Sequence, residues 1–153
     1  MLKVLNLTKK FPNGKTICVD FNAEFRLGDR YIWLGSSGIG KSTLAKILCG
    51  YEHADQGQVV LENQIIKSPN SNCIYVSQTD DLFGWKTVAE QINFLNQISQ
   101  HKKISAADMA AFELNNCLHL YPLELSGGMK KRLQLIRTLI FKPAVLILDE
   151  DLS

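Results

Sequence analysis

A glycine-rich segment carries the clearest chemical signal in this sequence of 153 residues. It has glycine, four residues, glycine, lysine and serine, a pattern typical of loops that hold polyphosphates. Glycines let backbone N–H groups turn toward an anion, and a helix that begins at the lysine adds the positive end of its dipole. We predict that a nucleotide contacts the following residues: Gly35, Ser36, Ser37, Gly38, Ile39, Gly40, Lys41, Ser42 and Thr43.

The last residues of this loop have separate predicted roles. Lys41 reaches the β and γ phosphates as a point charge, and the hydroxyl of Ser42 is a ligand for Mg²⁺. An apolar run at 30–34 predicts a strand before the loop, and apolar spacing over 42–49 predicts a helix after it. Kinases, GTPases and other ATPases share this strand–loop–helix order, so the loop alone does not select among them.

A second acidic site follows an apolar run near the end of the sequence. Residues 144–148 are apolar without alternation, as expected of a central strand in a parallel sheet. Asp149 and Glu150 follow directly, and ligands of open α/β sheets bind at the carboxyl ends of such strands. We predict that Asp149 holds Mg²⁺ through water and that Glu150 accepts a proton from the attacking water.

Between these two sites, Leu125 is followed by Ser126, Gly127, Gly128 and Met129 at the start of a predicted helix. A serine-capped helix with flexible glycines would explain the segment in isolation. In its position before Asp149, however, it resembles the signature of ABC-type ATPases, with methionine where glutamine is commoner. The resemblance implies that the signature binds the γ-phosphate held by the loop of a second chain, so that two chains sandwich two ATP molecules.

The resemblance extends to residues outside these motifs. Phe11 matches the aromatic residue that stacks on adenine, although it could equally be a core residue of a hairpin. Gln78 matches the glutamine that senses Mg²⁺ and the attacking water, and residues 82–88 match the segment bordering the surface that grips the membrane subunit. Residues 121–124, together with Met129, are most similar to importers of the nitrate, sulfonate and taurine group.

Apolar periodicity outlines the elements that must position these residues. Strands are predicted at 1–11, 16–25, 30–34, 57–66, 73–76 and 144–148, and helices at 42–49, 88–99, 106–118 and 127–141. The predicted fold is α/β: a P-loop NTPase core with a parallel sheet, an N-terminal antiparallel β subdomain and a small helical subdomain. We expect one nucleotide-binding domain, with 1–80 and 140–153 in the core and about 85–139 in the helical lobe.

Composition excludes several other classes of protein. Hydrophobic residues make up 46% and charged residues 21% of the sequence, and the net charge of +2 predicts no binding to nucleic acid. The cysteines are too far apart along the chain for the paired spacing of zinc sites, so we interpret them as reduced core residues. Because the N-terminus has neither a signal peptide nor a membrane-length run, we expect a cytoplasmic protein that reaches the inner face of the plasma membrane through a permease.

One departure from the family pattern concerns the end of the sequence. In the family, the catalytic glutamate is followed by a loop, a helix, and a strand ending in a histidine that holds the γ-phosphate. Only residues 151–153 follow Glu150 here. We therefore expect a C-terminally truncated cassette with an incomplete fold and, when the chain acts alone, impaired hydrolysis. A strand at 144–148 with an unpaired edge and an uncovered apolar face would also invite aggregation or pairing with another chain.

Three functional hypotheses follow. The leading one is an ATP-hydrolysing, energy-coupling subunit of an ABC transporter, importing a small anion or sulfonate with a permease and a second ATP-binding subunit. The alternative is a non-hydrolysing, nucleotide-binding remnant that lacks the histidine. A P-loop kinase or GTPase is the third, but the sequence has no guanine-reading Asn-Lys-x-Asp pattern, and the signature would be left unexplained.

Overall fold

The computed structural model describes residues 1–11, 13–79, 81–99 and 102–149. These residues divide into two compact units. The first unit contains residues 1–75 and 144–149, and the second contains residues 76–143. Both sheets and helices are present, and the fold is α/β, as the sequence predicts. The assignment of the whole chain to one domain remains a prediction.

An antiparallel sheet forms much of the first unit. Its strands are β1 (Leu2–Lys10), β2 (Thr16–Phe25), β3 (Gln56–Leu61) and β4 (Gln64–Ile65), in the order β2-β1-β3-β4. The predicted N-terminal hairpin is therefore confirmed. The predicted edge pair at 57–66 is only partly right, because β3 pairs with β1 inside the sheet and only β4 lies at the edge.

The other elements of the first unit are one helix and two short strands. The helix, α1 (Lys41–Leu48), follows the glycine-rich loop, and β5 (Cys73–Val76) and β6 (Val145–Leu148) form a small parallel sheet. Leu7, Leu48 and Val59 are among the buried side chains of an apolar core to which β1, β3, α1 and β5 contribute. The core thus joins the helix to strands from both sheets.

The strand predicted at 30–34 does not form. Ile32 and Leu34 are 78% and 80% exposed, and the segment pairs with no other strand in the described ranges. Local contacts hold it instead: the Tyr31 hydroxyl accepts a hydrogen bond from the Arg26 N–H at 3.0 Å, and the Phe25 and Tyr31 rings meet edge to face. An apolar run becomes a strand only where a neighbouring strand pairs with its backbone, and the described residues provide none.

Helices dominate the second unit. They are α2 (Val88–Ile98), α3 (Ala106–Ala111) and α4 (Gly127–Thr138), and they surround a separate apolar core that includes Val88, Leu114, Leu133 and Ile136. No helix in the described ranges has the length and apolar character needed to cross a bilayer.

Two of the predicted helices end early. The one predicted over 106–118 stops at Ala111, because Glu113 takes a left-handed conformation with φ of 54° and a separate 3-10 turn follows at Asn115–Cys117. The one predicted over 127–141 stops at Thr138 and continues as a 3-10 turn through Phe141. Left-handed residues and 3-10 turns commonly close helices, but apolar spacing does not reveal them.

Side-chain caps determine where α2 and α3 begin. Thr87 and Glu90 form a reciprocal capping box on α2, and Ser105 and Asp108 form another on α3. Hydrogen bonds from the Thr87 backbone and side chain lower the pKa of Glu90. A hydrogen bond from Lys102 and others from Ser105 lower the pKa of Asp108. Both carboxylates therefore remain charged at the positive ends of their helices.

Candidate nucleotide-binding site

The glycine-rich loop has a backbone that only glycine accommodates easily. Gly38 and Gly40 have φ of 73° and 114°, in the left-handed region. A Cβ atom on Gly40 would also lie 2.6 Å from Cγ2 of Ile17, so the Ile17 side chain or the loop would have to move. Residues 35–39 are exposed, so the outer side of the loop is open to a ligand.

Lys41 closes this loop. Its Nζ atom donates hydrogen bonds to the carbonyl oxygens of Gly35 at 2.7 Å and Ser36 at 3.1 Å. Lys41 is also the first residue of α1, and the residue before it, Gly40, provides no side-chain cap. An ammonium group and the positive end of a helix therefore occupy the same place, an arrangement suited to a polyphosphate.

A second lysine contacts the loop. Nζ of Lys15 donates a hydrogen bond to the carbonyl oxygen of Gly38 at 3.0 Å. Lys15 could not be predicted from the motifs, because none of them includes it and its partner Gly38 lies far along the chain. The sequence indicates only that Lys15 lies in a tight hairpin turn, directly after Gly14.

Phe11 lies at the same hairpin turn as Lys15. Its N–H donates to the carbonyl oxygen of Lys15 at 2.7 Å, which links the turn to the residue that contacts the loop. The Phe11 side chain is half-buried and is a member of neither apolar core found among the described residues. Stacking of Phe11 on adenine remains a prediction.

The residues predicted to bind the metal have oxygen atoms, which Mg²⁺ prefers. Ser42 lies in the first turn of α1 with its side chain exposed, and Thr43 beside it is half-buried. Asp149 follows β6, and its Oδ2 atom accepts a hydrogen bond from the hydroxyl of Tyr75 at 2.7 Å. From the sequence, Tyr75 is predicted only as a strand residue, and its contact with the distant Asp149 is not predicted. Glu150 lies outside the described residues.

In the second unit, the signature begins α4. Ser126 is the N-cap, and its Oγ atom accepts a hydrogen bond from the Met129 N–H at 3.3 Å, so it does cap the helix. Gly127 and Gly128 are exposed, and an added Cβ on either would meet nothing within 4 Å. Met129 packs against the apolar core. The two glycines thus lie open at the positive end of a helix.

Gln78 lies in an exposed loop that α4 supports. The side-chain amide of Gln134 donates to the carbonyl oxygen of Thr79 at 2.9 Å, and Arg137 donates to that of Asp81 at 2.8 Å. Burial lowers the pKa of Arg137. These contacts anchor the segment after Gln78 on the helix that begins with the signature.

Two features define a P-loop NTPase core. One is a glycine-rich loop that leads into a helix beginning with lysine, and the other is a parallel strand followed directly by aspartate. The first unit has both features. The sequence profile described as ABC transporter matches residues 18–153. Because this match includes most of the chain, the protein belongs to the ABC transporter family.

Similarity to individual proteins supports the same assignment. The spermidine/putrescine import ATP-binding protein of Nitrosomonas europaea is 33% identical, over all of this chain and 44% of that protein. The nitrate import ATP-binding protein of Synechocystis sp. is 31% identical, over 97% of this chain and 59% of that protein. This chain therefore spans about half the length of these relatives.

A solved structure shares the fold. The cbiO1 protein of Clostridium perfringens, part of an ABC transporter complex, has a TM-score of 0.80 and 24% identity to this chain. The match includes 97% of this chain and 64% of that structure. The predicted fold class is thus confirmed, since the similarity extends across nearly all of the present sequence.

Proposed function

We propose that this chain binds ATP with Mg²⁺ and is the ATP-hydrolysing, energy-coupling subunit of an ABC transporter. The observation that carries the proposal is the position of Lys41. Its ammonium group closes the exposed glycine loop at the uncapped start of α1. An anion with several charged oxygens would satisfy both the ammonium group and the N–H groups of the first helical turn.

Lys41 of the loop and two residues of the neighbouring hairpin turn have distinct roles in this proposal. Lys41 exchanges its carbonyl contacts at Gly35 and Ser36 for phosphate oxygens. Lys15, which already reaches Gly38, adds a second positive charge beside the phosphates. Phe11, in the same hairpin turn as Lys15, stacks on the adenine ring.

Ser42 and Asp149 are the residues proposed to hold Mg²⁺, with Gln78 as a further oxygen ligand. When bound, the metal neutralises charge on the phosphate oxygens and so favours transfer of the terminal phosphoryl group. Tyr75 orients the carboxylate of Asp149 through its hydrogen bond. Glu150 accepts the proton of the attacking water, a role proposed from the sequence alone.

Two partners complete the proposed assembly. In a pair of these chains, the exposed Gly127 and Gly128 at the start of α4 face the γ-phosphate held by the partner's loop. The segment at 82–88 faces a permease, which places the subunit at the inner face of the plasma membrane. Its Trp85 side chain is 74% exposed, which supports a contact surface there.

The proposed direction of transport is import, and the proposed solute is a small anion or sulfonate. Similarity to ATP-binding proteins named for nitrate and for spermidine/putrescine import supports the direction. Residues 121–124 and Met129 support the solute class, because they resemble the nitrate, sulfonate and taurine group. Because polyamines and nitrate are chemically unlike each other, these two relatives do not indicate one solute. The proposed solute class therefore rests on residues 121–124 and Met129.

Calorimetry of the full chain with ATP and Mg²⁺ tests the proposal. Lys41→Ala removes a charged hydrogen-bond donor worth roughly 1.5–3 kcal/mol, so ATP affinity should fall by about 10- to 100-fold. Lys46→Ala is the matched control, since Lys46 is an exposed lysine on the same helix. Unchanged affinity in the folded Lys41→Ala variant would overturn the proposed role of the loop.

Measuring phosphate release from the unaltered chain distinguishes an ATP-hydrolysing subunit from a non-hydrolysing, nucleotide-binding remnant. Release that saturates with ATP and requires Mg²⁺ is expected of the hydrolysing subunit. Tight ATP binding without release would instead support the non-hydrolysing alternative.

A further inference from the structure

Two buried thiols face each other in the core of the first unit. Cys49 follows the last residue of α1 and Cys73 is the first residue of β5. Their side chains are 0% and 1% exposed, and their Sγ atoms are 3.0 Å apart. None of the motifs discussed above includes either cysteine.

The two sulfurs are in non-covalent contact, about 1 Å farther apart than in a disulfide. A disulfide has its sulfurs about 2.05 Å apart, so the pair needs to close by only about 1 Å. The Cys73 thiol also lies 3.4 Å from the carbonyl oxygen of Leu48, which it can use as an acceptor. The hydrogen bond with the Cys73 thiol, and then burial, raise the pKa of Cys49, so the Cys49 thiol remains protonated in the closed core.

We propose that Cys49 and Cys73 form a reversible intrachain disulfide when the protein meets a peroxide. The bond would join the end of the phosphate-loop helix to β5 and close the chain between residues 49 and 73. The inference is independent of nucleotide binding, because neither sulfur belongs to the proposed ATP site.

The chemistry balances in two steps. When the core opens transiently, one cysteine gives up its proton to water, and its thiolate attacks an oxygen of hydrogen peroxide. The O–O bond breaks, and the departing hydroxide takes up a proton to become water. The resulting sulfenic acid is attacked by the second sulfur, which forms the S–S bond and releases a second water. The two sulfurs together lose two electrons, and the peroxide gains them.

Burial of both sulfurs makes this reaction slow. Peroxide reaches the pair only when the core opens transiently, so mild urea should accelerate formation of the disulfide. Within the described residues, the two sulfurs that lie in contact are those of Cys49 and Cys73. Cys18 is half-buried and Cys117 lies in the core of the second unit.

Peptide mapping of the unaltered full chain tests the proposal directly. The reduced protein is treated with hydrogen peroxide, blocked with iodoacetamide in denaturant, digested with trypsin and analysed by mass spectrometry. Cleavage after Lys46, Lys67 and Lys86 places the two cysteines on different peptides. We expect these peptides to be linked, with a mass loss of about 2 Da for the two hydrogens removed, and to separate again with dithiothreitol.

Serine variants assign the bond to this pair. Cys49→Ser and Cys73→Ser should each abolish the loss of thiols, whereas Cys18→Ser and Cys117→Ser should leave it intact. Four alkylated cysteines after peroxide treatment, a link that involves Cys18 or Cys117, or overoxidation without a link would each overturn the inference. The mapping of the unaltered chain decides the matter even where a variant folds poorly.

Discussion

Tyr75 and Asp149 illustrate at the residue scale how a proposed metal ligand depends on its neighbour. Asp149 follows β6 and Tyr75 lies on β5, the strand beside it in the parallel sheet. The Tyr75 hydroxyl donates to Oδ2 of Asp149 at 2.7 Å, and the Tyr75 ring also packs near that of Tyr51. A carboxylate held in this way keeps one orientation, which favours a metal ion with strict geometry such as Mg²⁺.

Tyr75→Phe should therefore raise the Mg²⁺ concentration needed for ATP binding. Removing one hydrogen bond to a charged group costs roughly 1.5–3 kcal/mol. Because water partly replaces the lost hydroxyl, we expect the required Mg²⁺ concentration to rise by about 3- to 10-fold. The measurement is a titration with Mg²⁺ at fixed ATP. ATP affinity without metal serves as the internal control and should not change. An unaltered Mg²⁺ requirement would show that Tyr75 does not position Asp149.

At the scale of the element, the buried side chain of Gln91 holds the segment before α2 in place. It lies on α2 with 0% exposure, and its amide donates to the carbonyl oxygens of Phe83 at 3.3 Å and Lys86 at 3.1 Å. Its Oε1 atom accepts from the Phe83 N–H at 3.3 Å. Gln91 therefore holds the segment that presents Trp85 through hydrogen bonds to the backbone of Phe83 and Lys86.

Gln91→Ala should destabilise the chain by about 1–3 kcal/mol, since it leaves backbone groups of this segment without their partner. Urea unfolding measures the change. Gln97→Ala is the matched control, because Gln97 is exposed on the same helix, and it should have little effect. Equal stability of the two variants would mean that water replaces Gln91 fully.

Exposed apolar side chains distinguish the chain at the scale of the whole molecule. Ile32 and Leu34 are 78% and 80% exposed, and Leu146 and Leu148 on β6 are 42% and 48% exposed. All four belong to the first unit. Monomeric proteins rarely expose several large aliphatic side chains in one part of the fold, so we expect the isolated chain to self-associate.

The double substitution Ile32→Thr and Leu34→Thr should reduce this self-association. Light scattering at increasing protein concentration measures it, and binding of an apolar dye reports the exposed surface independently. Leu123→Thr provides the comparison, because Leu123 is 88% exposed but lies in the second unit. Equal scattering from the unaltered chain, the double variant and Leu123→Thr would mean that Ile32 and Leu34 do not mediate self-association.

Much of the fold follows from local patterns in the sequence. The N-terminal hairpin, α1, β5 and β6 lie where alternation and apolar spacing predict them. The early end of α3 depends on the left-handed conformation of Glu113, a residue type that does not demand it. The missing strand at 30–34 depends on pairing, which apolar composition cannot supply.

The sequence by itself determined the phosphate loop and the helix that follows, because glycine spacing and a helix start are properties of neighbouring residues. It also determined the family, through motifs that are each continuous in the chain. Only the tertiary structure decided that Lys15 reaches Gly38, that Tyr75 holds Asp149 and that Cys49 faces Cys73. These partners are distant in sequence, and a contact between distant residues exists only once packing has brought their backbones together.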